Sequence, residues 1–364
     1  MAALTVSNTC RNMFTRLPRL CSSNSSLSIW PLGYHHLYTP AALGLNHFVS
    51  SRERTAIQFT NKKDRFLEHM MQILVSKNNC MIFTEDLKNI VHLAEANDRD
   101  LSLVLEMAKR FNQQHQGVRF GAFVFGPVVM RMYYHLNQPD AALAALQTKE
   151  LEGFFDQMIS HQLLMDLLYN NERYQDALDV FELLQEKRIA GIRYPKPCLT
   201  IAVATCLKIN TQESLTRMLK LLESTQEYGF NINRNIILYA AALALKQNHP
   251  HFALDFLLKS FSPNHFAIRT MKVMALCDLD RVEDIFPILR SIMQIDLPAT
   301  SGSDKGFHIL SEAVVAAENA VRKTLKKNLI AEFESISRSL QENSLISDKV
   351  RFFIYSCGGS VHVY

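Results

Sequence analysis

Apolar positions near the middle of the chain recur with the spacing of amphipathic helices. Leu164, Met165 and Leu168 form an apolar stripe at helical spacing. The polar run Asn170–Arg173 interrupts the stripe, and the stretch Tyr174–Phe181 resumes it. This pattern predicts two short helices joined by a tight turn.

The same unit recurs on both sides of this stretch. One marker position, early in the second helix, holds a small or apolar residue in five successive copies: Ala142, Ala177, Leu215, Ala253 and Ile285. These markers are 35, 38, 38 and 32 residues apart. A weaker sixth copy precedes them, with helices predicted over 87–93 and 101–111. A hairpin of this size cannot bury its apolar face alone, so the copies are expected to stack into a solenoid with a groove.

Composition supports an all-α architecture. Leu, Ala, Met, Glu, Gln and Lys dominate the repeats, and stretches of alternating β-branched residues are missing. After the array, the linker 298–303 precedes an apolar stripe over 307–340, which predicts one helix that caps the open end of the solenoid. Pro287 falls inside the second helix of the last unit and is expected to kink or end it.

The first 51 residues have the composition of a mitochondrial transit peptide. They contain Arg11, Arg16 and Arg19, eight serines and no acidic residue. The predicted location is therefore the mitochondrial matrix. The predicted organisation of the whole chain is a transit peptide over 1–51, a lead-in helix over 52–82, about five to six repeats over 83–297, a linker and capping helix over 298–345, and an irregular tail over 346–364.

Charge limits what the processed chain can attract. The whole chain carries a formal charge of +4, from 39 basic and 35 acidic residues, and removal of the three arginines before residue 52 leaves about +1. Nonspecific affinity for nucleic acid should be modest, so any RNA site must be local. One candidate patch is formed by Lys187, Arg188, Arg193 and Lys196, and a second by 322–327. Ordinary solvated helix ends explain both patches equally well.

The sequence contains few signs of chemistry. Its seven cysteines form no CxxC pair, and no histidine has further ligands at metal-binding spacing. No glycine-rich phosphate loop or nucleophile motif is present. We therefore expect a binding protein with no catalytic residues, cofactor, metal or small-molecule substrate. No apolar stretch approaches the ~20 residues of a membrane span, so no span is expected either.

The central repeat resembles a known family. The stretch 164–189 is similar to the pentatricopeptide repeat consensus, and 276–284 is similar to its turn. Tetratricopeptide repeats have nearly the same length but carry a Trp, which these repeats lack. The resemblance implies a right-handed superhelical solenoid of helix–turn–helix repeats with a C-terminal helical cap. It also implies a role in mitochondrial RNA maturation and mRNA processing, and thereby support of the respiratory chain.

The resemblance further implies how single-stranded mitochondrial RNA would be read. Two residues of each repeat would contact one base, and only Thr200 with Asn233 forms a productive pair, of the kind that the family uses for adenine. Gln162 is the reading residue of the central repeat, where Pro195 is a poor second. Val124 and Ile159 are the residues expected to insert between bases.

A protein–protein scaffold is the rival interpretation, because helical solenoids also bind peptides and subunits through their grooves. Near-neutral charge and degenerate reading positions favour it. A subunit associated with the mitochondrial ribosome would belong to this class. Mitochondrial RNA-processing proteins and ribosomal proteins are accordingly further candidate partners.

Overall fold

The computed structural model describes residues 37–76, 81–117, 123–293 and 309–347, with the side chains of 115–117 left out. These residues form sixteen α-helices and two very short strands. The helices are α1 (Leu45–Gln58), α2 (Lys63–Val75), α3 (Thr84–Leu93), α4 (Asp98–Gly117), α5 (Gly126–His135), α6 (Pro139–Gln147), α7 (Met158–Asn170), α8 (Tyr174–Lys187), α9 (Lys196–Ile209), α10 (Gln212–Glu227), α11 (Arg234–Lys246), α12 (Pro250–Leu258), α13 (Phe266–Asp278), α14 (Ile285–Met293), α15 (Ser311–Lys323) and α16 (Lys327–Glu342).

The helices from α3 onward form successive hairpins that stack on one another. The first helices of the hairpins, α3, α5, α7, α9, α11, α13 and α15, each contact the next in the row. From α6 to α12, each second helix contacts the first helix of the following hairpin. This arrangement confirms the predicted helical-repeat solenoid.

The turns inside the hairpins explain the repeat spacing. A residue with left-handed backbone stands in each of five turns, five positions before the marker: Asn137, Glu172, Asn210, Asn248 and Asp280. Asn and Asp adopt this conformation more readily than most residues, so a polar turn before each buried marker is expected. Adjacent turns are also joined, since Asn171 donates to Asn137 at 2.8 Å and Gln247 donates to the Asn210 carbonyl at 2.8 Å.

The C-terminal part differs from the prediction of one capping helix over 307–340. The chain breaks between α15 and α16, where Leu325 has a φ of 55° and is 83% exposed instead of lying on a buried stripe. The break lets α15 contact α13 while α16 contacts α14, so Phe333 and Leu340 become buried. The cap is therefore a seventh hairpin. Strand β1 (Ile309–Leu310) pairs in parallel with β2 (Ile346–Ser347) beside it.

Pro287 does not end the stacking, which corrects the expectation of a kink. A 3₁₀ turn over Val282–Asp284 precedes α14, so Pro287 lies in the first helical turn. Its missing N–H is tolerated there, because first-turn N–H groups have no partner within the helix. Helix α14 therefore runs past Pro287 to Met293 and contacts α16 of the next hairpin.

The N-terminal boundary also differs from the sequence prediction. Helix α1 runs through the predicted boundary at 51/52, and α2 is a separate helix within the lead-in region. Leu43, Leu45 and Phe48 are buried, although the prediction placed them in a removable peptide. The arginines that motivated the transit peptide lie outside the described residues. In the described part, no helix is long and apolar enough to cross a bilayer.

Candidate functional site

A stripe of polar side chains runs along the side of the first helices that the second helices leave uncovered. In α11, Asn235, Tyr239 and Lys246 are partly exposed, whereas 236–238 and 240–245 are buried. These three residues fall on one face at helical spacing. The partly exposed residues on the corresponding face are Ile159, Gln162 and Asn170 in α7 and Pro197 and Lys208 in α9. We call this surface the groove stripe.

A buried carboxylate joins the groove stripe of two adjacent repeats. Asp166 of α7 is fully buried and accepts a hydrogen bond from the Tyr134 hydroxyl of α5 at 2.7 Å. Asn170 donates to the same carboxylate oxygen at 3.0 Å and to the Tyr134 hydroxyl at 3.0 Å. Burial and then the nearby Asp166 raise the pKa of Tyr134. This network fixes the register between the two repeats.

The structure brings the predicted reading pair Thr200 and Asn233 together. The Asn233 amide donates to the Thr200 hydroxyl oxygen at 3.3 Å, while the Thr200 hydroxyl donates to the Lys196 carbonyl at 2.8 Å. Asn233 also caps α11, because its side-chain oxygen accepts from the Ile236 N–H at 2.9 Å. Thr200 is only 5% exposed. Both side chains thus use polar atoms within the protein, and their reading of a base stays a prediction.

Residues 37–44, which we call the N-terminal segment, contact the start of α9 through Tyr38. The Tyr38 hydroxyl donates to the Pro197 carbonyl at 3.0 Å, and the Thr200 side chain lies beside it. Burial is the main cause of the raised pKa of Tyr38. The segment is held further along by Arg131, whose Nε donates to the Leu43 carbonyl at 2.8 Å. The chain therefore covers part of its own groove.

The other predicted groove residues are accessible. Gln162 and Ile159 are partly exposed on the groove stripe of α7, and Val124 is exposed just before α5. Their positions are compatible with the predicted contacts to bases, which nothing in the arrangement tests.

The first predicted basic patch lies at the connection between α8 and α9. Its four side chains differ in the contacts that they make within the protein. Lys187 lies 3.9 Å from Asp156, and Arg188 ends α8 with left-handed backbone. The Arg193 guanidinium carbon is 5.6 Å from the Tyr194 ring centroid and 5.1 Å from that of Tyr228. Lys196 is exposed at the start of α9.

Two of the four basic residues in the second predicted patch form ion pairs with acidic residues. Arg322 lies 2.6 Å from Glu318, and Lys326 lies 2.9 Å from Glu283. These contacts reduce the net positive potential that the four basic residues over 322–327 would otherwise produce.

A pair of lysines on the groove stripe escaped the sequence analysis. Lys208 and Lys246 lie at the ends of α9 and α11, and burial lowers the pKa of both. The Lys246 ammonium lowers the pKa of Lys208 further, whereas the Glu172 carboxylate raises it. The Lys208 ammonium lies 6.0 Å from the Tyr169 ring centroid. Each lysine stands two residues before a left-handed Asn, which is the sequence signal that could have identified the pair.

The sequence of the chain was compared with family models and with known proteins. No family model matches the chain. It is similar to "Pentatricopeptide repeat-containing protein 2, mitochondrial" of Xenopus laevis, with 28% identity over 313 residues, which cover 86% of this chain and 79% of the relative. The protein of the same name from Mus musculus is 27% identical over 333 residues, covering 91% and 84%, and that from Homo sapiens is 26% identical over 329 residues, covering 89% and 81%. The predicted family resemblance is thereby confirmed.

Proposed function

The chain resembles mitochondrial pentatricopeptide repeat proteins over most of its length, and on this premise we propose that it binds single-stranded RNA in its groove. We propose that the protein is non-catalytic, resides in the mitochondrial matrix and acts in mitochondrial RNA maturation and mRNA processing. Through that role it supports respiratory chain function. Its proposed partners are single-stranded mitochondrial RNA and the proteins that process it.

The observation that carries this proposal is the lysine pair Lys208 and Lys246. Lys208 and Lys246 are partly buried at equivalent places on the contacting first helices α9 and α11, and among the described residues neither forms an ion pair with an acidic side chain. Burial makes this arrangement costly in the free protein, and the Lys246 ammonium adds repulsion at Lys208 that Glu172 offsets in part. A phosphate placed between the two groups would relieve both costs. Adjacent repeats spaced along a groove could therefore hold successive phosphates of one RNA strand.

Binding of a fluorescently labelled uridine oligomer over a range of salt concentrations tests the proposal. Each phosphate contact contributes a slope of roughly −0.7 in log affinity against log salt for single strands. The double variant Lys208→Gln with Lys246→Gln should bind more weakly, with the magnitude of the slope reduced by about 1.4. Lys220→Gln is the matched control, because Lys220 is exposed on the second helix α10. Equal slopes for the double variant and the wild type would contradict the proposal.

A protein–protein scaffold is a second candidate, favoured by one specific observation. The N-terminal segment, which is rich in turns, contacts α9 through Tyr38, whose hydroxyl donates to the Pro197 carbonyl on the groove stripe. A groove that accepts its own peptide could accept the peptide of another protein, including one of the mitochondrial ribosome. Sedimentation of a mitochondrial lysate separates the two candidates. Comigration with a ribosomal subunit after ribonuclease treatment favours the scaffold, whereas loss of the fast-sedimenting fraction favours RNA binding.

A further inference from the structure

A second site opens near the N-terminal end of the array, between α1, α3 and α5. The cavity has a volume of about 450 Å³, and its lining includes His47, Lys88, Phe123 and Arg131. This volume falls within the range of ~300–1,000 Å³ typical of small-molecule sites. Helix α1 provides one complete wall. The cavity therefore exists only in a protein that retains this helix.

Positive charge dominates the cavity. Lys88 and Arg131 are its two permanently charged cations, and Glu85, 3.5 Å from the Lys88 ammonium, is the acidic residue in its lining. Arg131 makes no ion pair among the described residues, and its Nε is used by the Leu43 carbonyl. Burial lowers the pKa of Arg131, as expected for a guanidinium without an acidic partner. The arrangement suits an anionic ligand.

His92 adds polarity to the cavity without a fixed charge. His92 directs its Nδ1 to the Lys88 carbonyl at 2.7 Å and stacks on Phe48, with 5.0 Å between the ring centroids. Burial is the main cause of its lowered pKa, and Lys88, Arg52 and His47 lower it further. His92 is therefore neutral near pH 7. The charge of the site rests on Lys88 and Arg131.

An exposed aromatic ring stands at the mouth of the cavity. Phe123 is 41% exposed, and the Lys88 ammonium lies 5.5 Å from its ring centroid. Phe125 supports the ring edge-on, with 4.6 Å between the centroids. A nucleobase stacks on such a ring whatever its identity, because every base has an aromatic face. The Lys88 ammonium lies over one face of the ring, and it is placed to meet the phosphate attached to a base that stacks on the other face.

We propose that this cavity binds one nucleotide of the RNA strand, with its base on Phe123 and its phosphate against Lys88 and Arg131. The inference rests on the proposed RNA-binding function and gives the strand a second contact point, distant in sequence from Lys208 and Lys246. The N-terminal segment lies between the two contact points. The bound strand thus touches the groove at two places, the cavity beside α1 and the lysine pair on α9 and α11, and passes beside or displaces the segment.

The test measures binding of the full-length chain and its variants to the labelled uridine oligomer. Phe123→Ala should raise Kd about fivefold or more, the lower range for loss of one base–aromatic stack. Lys88→Gln should reduce the magnitude of the salt slope by about 0.7. Phe261→Ala and Lys109→Gln are matched controls, because Phe261 is 78% exposed on another part of the surface and Lys109, like Lys88, pairs with a glutamate three residues earlier. Neither control should change binding.

The variants separate the failure of this inference from the failure of the proposed function. If Lys208→Gln with Lys246→Gln weakens binding while Phe123→Ala and Lys88→Gln do not, the cavity is no part of the RNA site, and the inference is overturned although the proposed function stands. A wild-type chain that binds no oligomer overturns both. Uridine monophosphate, added alone, tests whether the ligand of the cavity is a free nucleotide and not part of an RNA strand. If the monophosphate binds saturably, Phe123→Ala abolishes that binding and the oligomer does not bind, the cavity is a free-nucleotide site and the RNA inference is overturned.

Discussion

Helix α1 is predicted to be an integral part of the folded array, and Phe48 provides the sharpest perturbation. Its side chain is 3% exposed and contacts His92 of α3 and His135 of α5, with ring centroids 5.0 and 6.0 Å away. Replacing a buried Phe by Ala typically costs about 3–5 kcal/mol, from lost transfer free energy and from the cavity left behind. Since whole domains are stable by only about 5–15 kcal/mol, Phe48→Ala should cause a large loss.

Urea unfolding of the full-length chain, followed by helical circular dichroism, measures this effect. Phe48→Ala should lower the free energy of unfolding of the hairpins that α1 contacts by about 3–5 kcal/mol, seen as an earlier transition. Asn46→Ala is the matched control on the exposed side of the same helix, and it should change stability by no more than about 0.5 kcal/mol. Indistinguishable transitions for the two variants would refute the conclusion that α1 packs on α3 and α5.

Three further predictions follow from the same contacts. N-terminal sequencing of the protein purified from mitochondria should find a start before Leu43, which is fully buried; a start after Phe48 would contradict this. Tyr38→Ala should increase affinity for the labelled oligomer, because the change removes a hydrogen bond worth about 0.5–1.5 kcal/mol to the covering segment; unchanged or reduced affinity would show that the segment does not compete. Stability should fall as pH drops below about 6.5, because burial lowers the pKa of His92 and His161 and the unfolded chain takes up protons first; a urea midpoint that is constant from pH 7.5 to about 5.5 would contradict this.

The repeat architecture was predictable because its signals are local. A small residue such as Ala177 must be buried where two helices cross, and a polar turn residue such as Glu172 must precede it at a fixed distance. Leu325 shows the limit of this reasoning. An apolar residue at helical spacing predicts burial, but the chain turns at Leu325. Pro287 shows another, because its effect depends on where the helix begins.

The candidate site was predictable only in part. The juxtaposition of Thr200 and Asn233 follows from the repeat register, and the structure contains it. The contact of Tyr38 with Pro197 spans 159 residues, and no local pattern indicates such a contact. In the sequence, Lys208 and Lys246 are ordinary lysines near helix ends. The only local signal that pairs them is their shared position, two residues before a turn residue with left-handed backbone. The contact between Tyr38 and Pro197 and the pairing of the two lysines on the groove stripe therefore had to come from the structure.

The most direct test of RNA binding in the groove is photocrosslinking of the purified full-length chain to a 4-thiouridine oligomer, with the crosslinked peptides identified by mass spectrometry. The account predicts crosslinks in the first helices α9 and α11, near Lys208 and Lys246, and at the cavity beside Phe123. Crosslinks confined to second helices such as α8, α10 and α12, or none above the level of a protein without RNA-binding activity, would contradict it.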